Sequence, residues 1–126
     1  NNNLDMLEEM RMAAYLQKVY TGDPTALPVT EVMRMATVRG AGALGFENTG
    51  SLKVGKAADI IVLNTEKAHY YPKYNAKAAI VYSGSSADVE TVIIDGSLVM
   101  EGGNLITLDE ERILYKAQEC ASKLTK

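Results

Sequence analysis

The sequence predicts an α+β fold. Three observations carry this. Helical patterns fill residues 4 to 44, strand and hairpin signals fall between 58 and 100, and a capped amphipathic helix closes the chain. Three strands are legible, which is few for a free-standing sheet.

The first helix is predicted from about Leu4 to Val19, with Asn3 as its N-cap and Asp5, Glu8 and Glu9 at the positive end of the helix dipole. Leu4, Leu7, Met10, Ala14 and Val19 give it one apolar face, widened by Met6 and Ala13. Tyr20 to Pro24 reads as a loop. Pro28 suits the first turn of a second helix, where its missing N–H costs nothing. Thr37 is expected to end that helix and cap a third, Val38 to Leu44, closed by Gly45. Gly40 and Gly42 each weaken such a helix by roughly 1 kcal/mol relative to alanine, so close packing is expected to compensate.

The pattern then changes period. Gly50 to Lys56 is a glycine-bounded turn segment, and Ala58 to Leu63 is an apolar, β-branched run of the kind a strand buried on both faces shows. Thr65 to Asn75 reads as a polar and aromatic loop, Ala76 to Tyr82 as a short helix ended by Ser83-Gly84-Ser85-Ser86. Val89 to Ile94 and Ser97 to Met100 flank Asp95-Gly96, which supplies the positive φ angles of a type I′ hairpin turn. Gly102-Gly103 ends that strand. In the last helix, Thr107 and Glu110 spell a capping box, and Ile113, Leu114, Ala117, Cys120, Ala121 and Leu124 share a face.

Composition removes several function classes. With 47% hydrophobic and 23% charged residues in 126, the chain has apolar surface enough for one small domain, so disorder is a poor reading. A formal net charge of -3 gives no general attraction for phosphate backbones or anionic lipid. No apolar run approaches the roughly 20 residues needed to cross a bilayer, and the opening Asn1-Asn2-Asn3 is unlike a secretory signal. Neither nucleic acid nor membrane is expected as a partner. Cys120 has no second cysteine to pair with and suits a reducing compartment, so a cytoplasmic location is expected.

The search for chemistry returns no constellation. A hydrolytic metal site needs three or more converging His, Asp, Glu or Cys side chains, and the chain has one histidine, His69, and one cysteine, Cys120. The pairs Glu8/Glu9 and Glu110/Glu111 read as solvated first-turn charges. His69, beside Glu66 and Lys67 in a tyrosine-rich loop, reads as a surface residue, and Cys120 as a buried structural thiol. Gly40-Ala41-Gly42-Ala43-Leu44-Gly45 matches Gly-x-Gly-x-x-Gly in letters, but a helix precedes it where a strand should. The interleaved bases and tyrosines from Lys67 to Lys77 read as a packed loop rather than a single-strand binder.

Several stretches together resemble a known family. Gly50-Ser51-Leu52-Lys53-Val54-Gly55-Lys56-Ala57-Ala58-Asp59-Ile60 resembles the turn and strand that follow the catalytic barrel in amidohydrolases. Ala36 to Gly45 resembles the helical segment before it, and Val92-Ile93-Ile94-Asp95-Gly96 the late hairpin. Asn1-Asn2-Asn3-Leu4-Asp5-Met6-Leu7-Glu8-Glu9-Met10-Arg11 is similar to the loop and helix after the last barrel strand in methylthioadenosine/S-adenosylhomocysteine deaminases and triazine chlorohydrolases. The likeness runs along essentially the whole chain, in the family's order.

The resemblance implies a fold: the last helical part of a metal-dependent (β/α)8 barrel over residues 1–45, the C-terminal part of a composite β-sandwich over 46–104, and a C-terminal helix over 105–126. It implies a hydrolase acting on a non-peptide carbon–nitrogen bond of a purine- or triazine-like substrate, with a divalent metal, zinc or iron, in the intact family. The family's metal ligands have no counterpart here, so no catalytic or metal residue transfers and none is expected in this chain. Asn1, Asn2 and Asn3 are carried over as a pocket loop at a barrel strand's C-terminal end. The chain is therefore expected to be a C-terminal piece, inactive alone, whose partner is the missing barrel segment. It is expected to self-associate through exposed apolar faces. The alternative is a stand-alone structural or interaction module derived from such an enzyme.

Overall fold

The computed structural model of the chain describes residues 3–124. Its first half is helical. α1 spans Met6–Thr21 and α2 Val29–Arg34. From α2 the helix runs on through a π-helical turn, Met35–Arg39, into α3, Gly40–Ala43. The second half holds β1 (Ile60–Leu63), α4 (Ala76–Ser83), β2 (Val89–Ile94), β3 (Ser97–Glu101), the two-residue β4 (Asn104–Leu105) and α5 (Glu110–Leu124). The four strands form one antiparallel sheet in the order β1-β2-β3-β4. The α+β expectation holds, with one strand more than the sequence revealed: Gly102-Gly103 turns β3 into β4 rather than ending the sheet.

Several helix starts differ from expectation; Pro28, expected in the first turn of α2, is its N-cap. The N-cap of α1 is Asp5, not Asn3: its Oδ1 accepts from the Leu7 and Glu8 amides at 2.9 and 3.2 Å. α1 also runs two residues past Val19 before Gly22 closes it in the left-handed region. At α5 the Arg112 amide donates to Asp109 Oδ1 at 3.0 Å, so Asp109 caps where Thr107 was expected to. Thr37 neither ends α2 nor caps α3. Its hydroxyl donates to the Met33 carbonyl four residues back, and the helix passes through it as the π turn. Gly40 is required at the exit of that turn, because a Cβ there would sit 2.6 Å from the Met35 carbonyl oxygen.

The core lies between helices. Leu7, Met10 and Ala14 of α1 meet Val32 of α2 and Val81 of α4, with Leu63 of β1 at the margin. Leu4 and Val19, expected on the same stripe, are exposed, because the true stripe is confined to one side of three turns. The sheet contributes little to this core. β1 is not buried on both faces: Ile61 is 54% and Val62 46% exposed, and the strand occupies a sheet edge. Its apolar composition fits covering surfaces that these residues do not provide. The α5 face is likewise uncovered, with Ile113 and Leu114 exposed and no buried residue along the helix.

The β2–β3 turn forms as expected, with Asp95 and Gly96 both at positive φ. Asp59 anchors it, accepting the Asp95 amide on Oδ1 at 2.8 Å and the Thr49 hydroxyl on Oδ2 at 2.6 Å. The turn segment before β1 is thereby fastened to the hairpin tip. No helix among the described residues is long and apolar enough to cross a membrane.

Candidate functional site

The fold buries one carboxylate among its described residues, Asp88, at 2% exposure. The short turn Ser86–Asp88 that carries it is closed by a capping box: Ser85 Oγ accepts the Ala87 amide, and Asp88 Oδ2 accepts the Ser85 amide at 2.9 Å. Three more donors arrive from the loop before α4. Lys67 Nζ donates to Asp88 Oδ1 at 2.8 Å and to the Ala87 carbonyl at 2.8 Å. His69 Nε2 and Tyr70 Oη each lie 2.9 Å from Asp88 Oδ2.

Burial alone would push the Asp88 carboxyl up. The hydrogen bonds from Lys67, His69, Tyr70 and the Ser85 amide outweigh it and hold the group well below the usual carboxylate range. For Tyr70, burial and the adjacent carboxylate act together and push the phenol up to about 12. Both Asp88 oxygens are occupied by donors of the chain itself. A carboxylate so engaged is unavailable as a general base or a metal ligand, and it acts as a clasp fastening the 64–75 loop to the 83–88 segment. Gly84 lets the backbone pass here, since a Cβ would sit 2.5 Å from the Ile80 carbonyl oxygen and 3.1 Å from the Tyr70 hydroxyl.

Helix α1 is fastened to the same segment. Arg11 Nε donates to the Val81 carbonyl at 3.3 Å, and its guanidinium also reaches the Gly84 carbonyl. At the start of the helix, Asp5 Oδ2 accepts the Ser86 amide at 3.0 Å. Burial opposes ionisation of Asp5, and its amide donors from Ser86, Glu8 and Leu7 more than offset that, leaving its carboxyl below the ordinary value.

The residues singled out from sequence distribute as follows. Asn1 and Asn2 lie outside the described residues; Asn3 is exposed and its amide donates to the Glu8 carboxylate. His69 is half-exposed but not a free surface group, being engaged with Asp88. Cys120 is exposed rather than buried, because nothing covers the α5 face on which it sits. The acidic pairs Glu8/Glu9 and Glu110/Glu111 occupy first turns in solvent. The basic and aromatic stretch is packed only in part: Lys67 pairs with Asp88 and Lys73 with Glu66, with Lys73 Nζ 4.7 Å from the Tyr71 ring centre, while Tyr71, Tyr74 and Lys77 are exposed. Among the described residues no group of three or more His, Cys, Asp or Glu could hold a metal ion. The long-range contacts of Asp88, Asp5 and Arg11 are not legible from the sequence, where Asp5 reads only as a helix-dipole charge. Ser85-x-x-Asp88 is the one sequence signal that could have found the clasp, because it spells a capping box.

Residues 1–99 match the profile of the amidohydrolase family. The chain belongs to that family. Its family relatives include a 5-methylthioadenosine/S-adenosylhomocysteine deaminase from Pelotomaculum thermopropionicum, 52% identical over 98% of this chain and 29% of that protein. A 5′-deoxyadenosine deaminase from Methanosarcina acetivorans is 48% identical over 98% of this chain and 28% of its own length. Among solved structures, an adenosine deaminase from Xanthomonas campestris with bound zinc matches 99% of this chain and 29% of its own, at 32% identity and a TM-score of 0.96. An atrazine chlorohydrolase from Arthrobacter aurescens, complexed with zinc, matches 90% of this chain and 25% of its own, at 26% identity and a TM-score of 0.80. The chain thus spans under a third of the length of the amidohydrolases it matches. Those solved neighbours hold zinc; the described residues of this chain do not fit a zinc site.

Proposed function

We propose that this chain serves as one part of a metal-dependent amidohydrolase that deaminates a 5′-substituted adenosine, at a carbon–nitrogen bond that is not a peptide bond. The carrying observation is the 52% identity to a methylthioadenosine/S-adenosylhomocysteine deaminase across 98% of the chain. A triazine-like substrate is the second member of the same chemical class, favoured by the chlorohydrolase neighbour. In this reading residues 1–45 are the helical end of a (β/α)8 barrel, 46–104 the C-terminal part of a composite β-sandwich, and 105–126 a closing helix. Asn1, Asn2 and Asn3 border the substrate pocket.

A divalent metal, zinc by the neighbours' example, supplies the activation of water in such an enzyme. Its ligands belong to a barrel segment that this chain would partner. The chain's own share is support: α1 follows the pocket loop, and the Asp88 clasp fastens the 64–75 loop to the 83–88 segment on which α1 rests. The exposed apolar faces of β1 and α5 are the surfaces such a partner would cover, and without it they favour self-association.

The test is a chimera. The matching 124 residues of the Pelotomaculum deaminase are replaced by this chain, and ammonia release from 5-methylthioadenosine is measured with zinc supplied. The expected result is zinc-dependent deamination by the chimera and none by the 126-residue chain alone. A chimera that folds and retains zinc yet releases no ammonia would overturn the reading, as would turnover by the chain alone. The first of these outcomes would leave the stand-alone module as the reading; the second would exclude that module as well.

A further inference from the structure

The Asp5 carboxylate does two separable things. Capping α1 requires one acceptor oxygen, which Oδ1 provides to the Leu7 and Glu8 amides, and a serine supplies as much at such a position. Oδ2 is turned instead to the Ser86 amide, 81 residues further along the chain. The Ser86 amide has a fixed direction because the turn carrying it is closed by the Ser85–Asp88 capping box and by the donors from Lys67, His69 and Tyr70. Further along α1, Arg11 fastens the helix to the Val81 and Gly84 carbonyls of the same segment. Core packing of Leu7, Met10 and Ala14 holds the body of α1, and these two polar contacts add fixed points at its start and along its length.

We propose that Asp5 is a positioning residue: its second oxygen docks the chain entering α1 onto the Asp88 clasp and so sets the placement of the segment immediately before it. This rests on the reading that residues 1–3 border the substrate pocket, and it assigns the control of that border to a contact outside it. The clasp is then more than a stabilising knot, because it presents the Ser86 amide that Asp5 needs.

Three substitutions separate docking from capping. Asp5→Ser keeps a cap oxygen and loses the docking oxygen; Asp5→Ala loses both. Ser86→Pro leaves the α1 cap intact and removes the docking N–H together with the Ser86 hydroxyl that also bonds Asp5, at the first position of a short helical turn where proline is tolerated, after Ser85, which already has the extended backbone that a following proline demands. Each is made in the deaminase chimera and compared at temperatures where all variants are folded and hold equal zinc. Expected is a fall in kcat/KM of about tenfold or more for Asp5→Ser and Ser86→Pro alike, as for a displaced binding segment. Hydrogen exchange should show the Ser86 amide protected in the parent and fast in Asp5→Ser, with the body of α1 unchanged. An active parent in which Asp5→Ser and Ser86→Pro match it while Asp5→Ala is impaired would reduce Asp5 to a cap and overturn the proposal. Unchanged protection of Ser86 in Asp5→Ser would overturn it too. If the parent chimera is inactive the functional reading fails by itself, and the exchange measurement still decides whether Asp5 docks the helix.

Discussion

The Tyr70 hydroxyl donates to the Asp88 carboxylate at 2.9 Å, and both side chains are 2% exposed. Burial and the adjacent carboxylate keep the phenol neutral, and its hydroxyl donates to a charged acceptor. The rest of the site serves that acceptor: Lys67, His69 and the Ser85 amide fill the remaining acceptor positions of Asp88.

Removing the charge tests how much the clasp holds. Asp88→Ala leaves four donors without their acceptor in a partly closed site, and the expected loss is about 3 kcal/mol of unfolding free energy, in the range for breaking a buried charged pair by deleting one partner. Urea unfolding followed by circular dichroism reads it as a lower midpoint. A shift within error would show that solvent, not Asp88, satisfies Lys67, His69 and Tyr70.

The pH dependence has a worked sign on each side. The folded-state pKa of Asp88 lies below the ordinary carboxylate value of 3.8, so its contribution is present above about pH 4 and is lost as pH falls through the folded value. Tyr70 is raised from 10.0 to about 12, so its contribution is complete below pH 10 and is lost as pH rises towards 12. Melting temperature against pH should therefore decline on both sides. Tyr70→Phe should remove the alkaline decline attributable to this group and, by deleting one donor to Asp88, shallow the acid one.

Much of the fold was legible because its signals are local. The Asp95-Gly96 turn, the short helix α4 and the helical character of residues 6–21 each depend on neighbours in sequence. What was misread depends on distance. Asn3 and Asp5 are equally good caps by residue type, and what Asp5 has in addition is the Ser86 amide, 81 residues further along the chain. The run Ala58 to Leu63 has the composition of a strand covered on two faces, and no local rule could tell that the covering is absent from these residues. The same holds for Cys120 and its helix. Asp88 went unmarked because three of its four donors lie 18 to 21 residues upstream.

Uncovered apolar faces make a prediction about association. Ile61 and Val62 on β1 and Ile113 and Leu114 on α5 are all between 46% and 62% exposed. The 126-residue chain is expected to self-associate as its concentration rises, visible as an increasing sedimentation coefficient. Lysine at Ile61 and Ile113 together should restore a concentration-independent value; a monomer at every concentration in the parent chain would show that these faces do not pair.

The two glycines of α3 test what the π turn demands. On helix propensity alone, alanine should stabilise either position by about 1 kcal/mol. Gly42 has open space where a Cβ would go, so Gly42→Ala should realise that gain in full. At Gly40 the new Cβ meets the Met35 carbonyl oxygen at 2.6 Å, and backbone cannot swing aside as a flexible side chain can. Accommodating it means tightening Met35–Arg39 towards ordinary α-helix, which rotates everything after Thr37 relative to α2 and displaces Ala41 from its buried position. Gly40→Ala is therefore expected to destabilise by about 1–3 kcal/mol, the magnitude of forced overpacking, despite its better propensity. Opposite signs for the two alanines in parallel thermal melts are the expected outcome. A gain at both would mean that the π turn relaxes freely and that Gly40 has no structural claim on it.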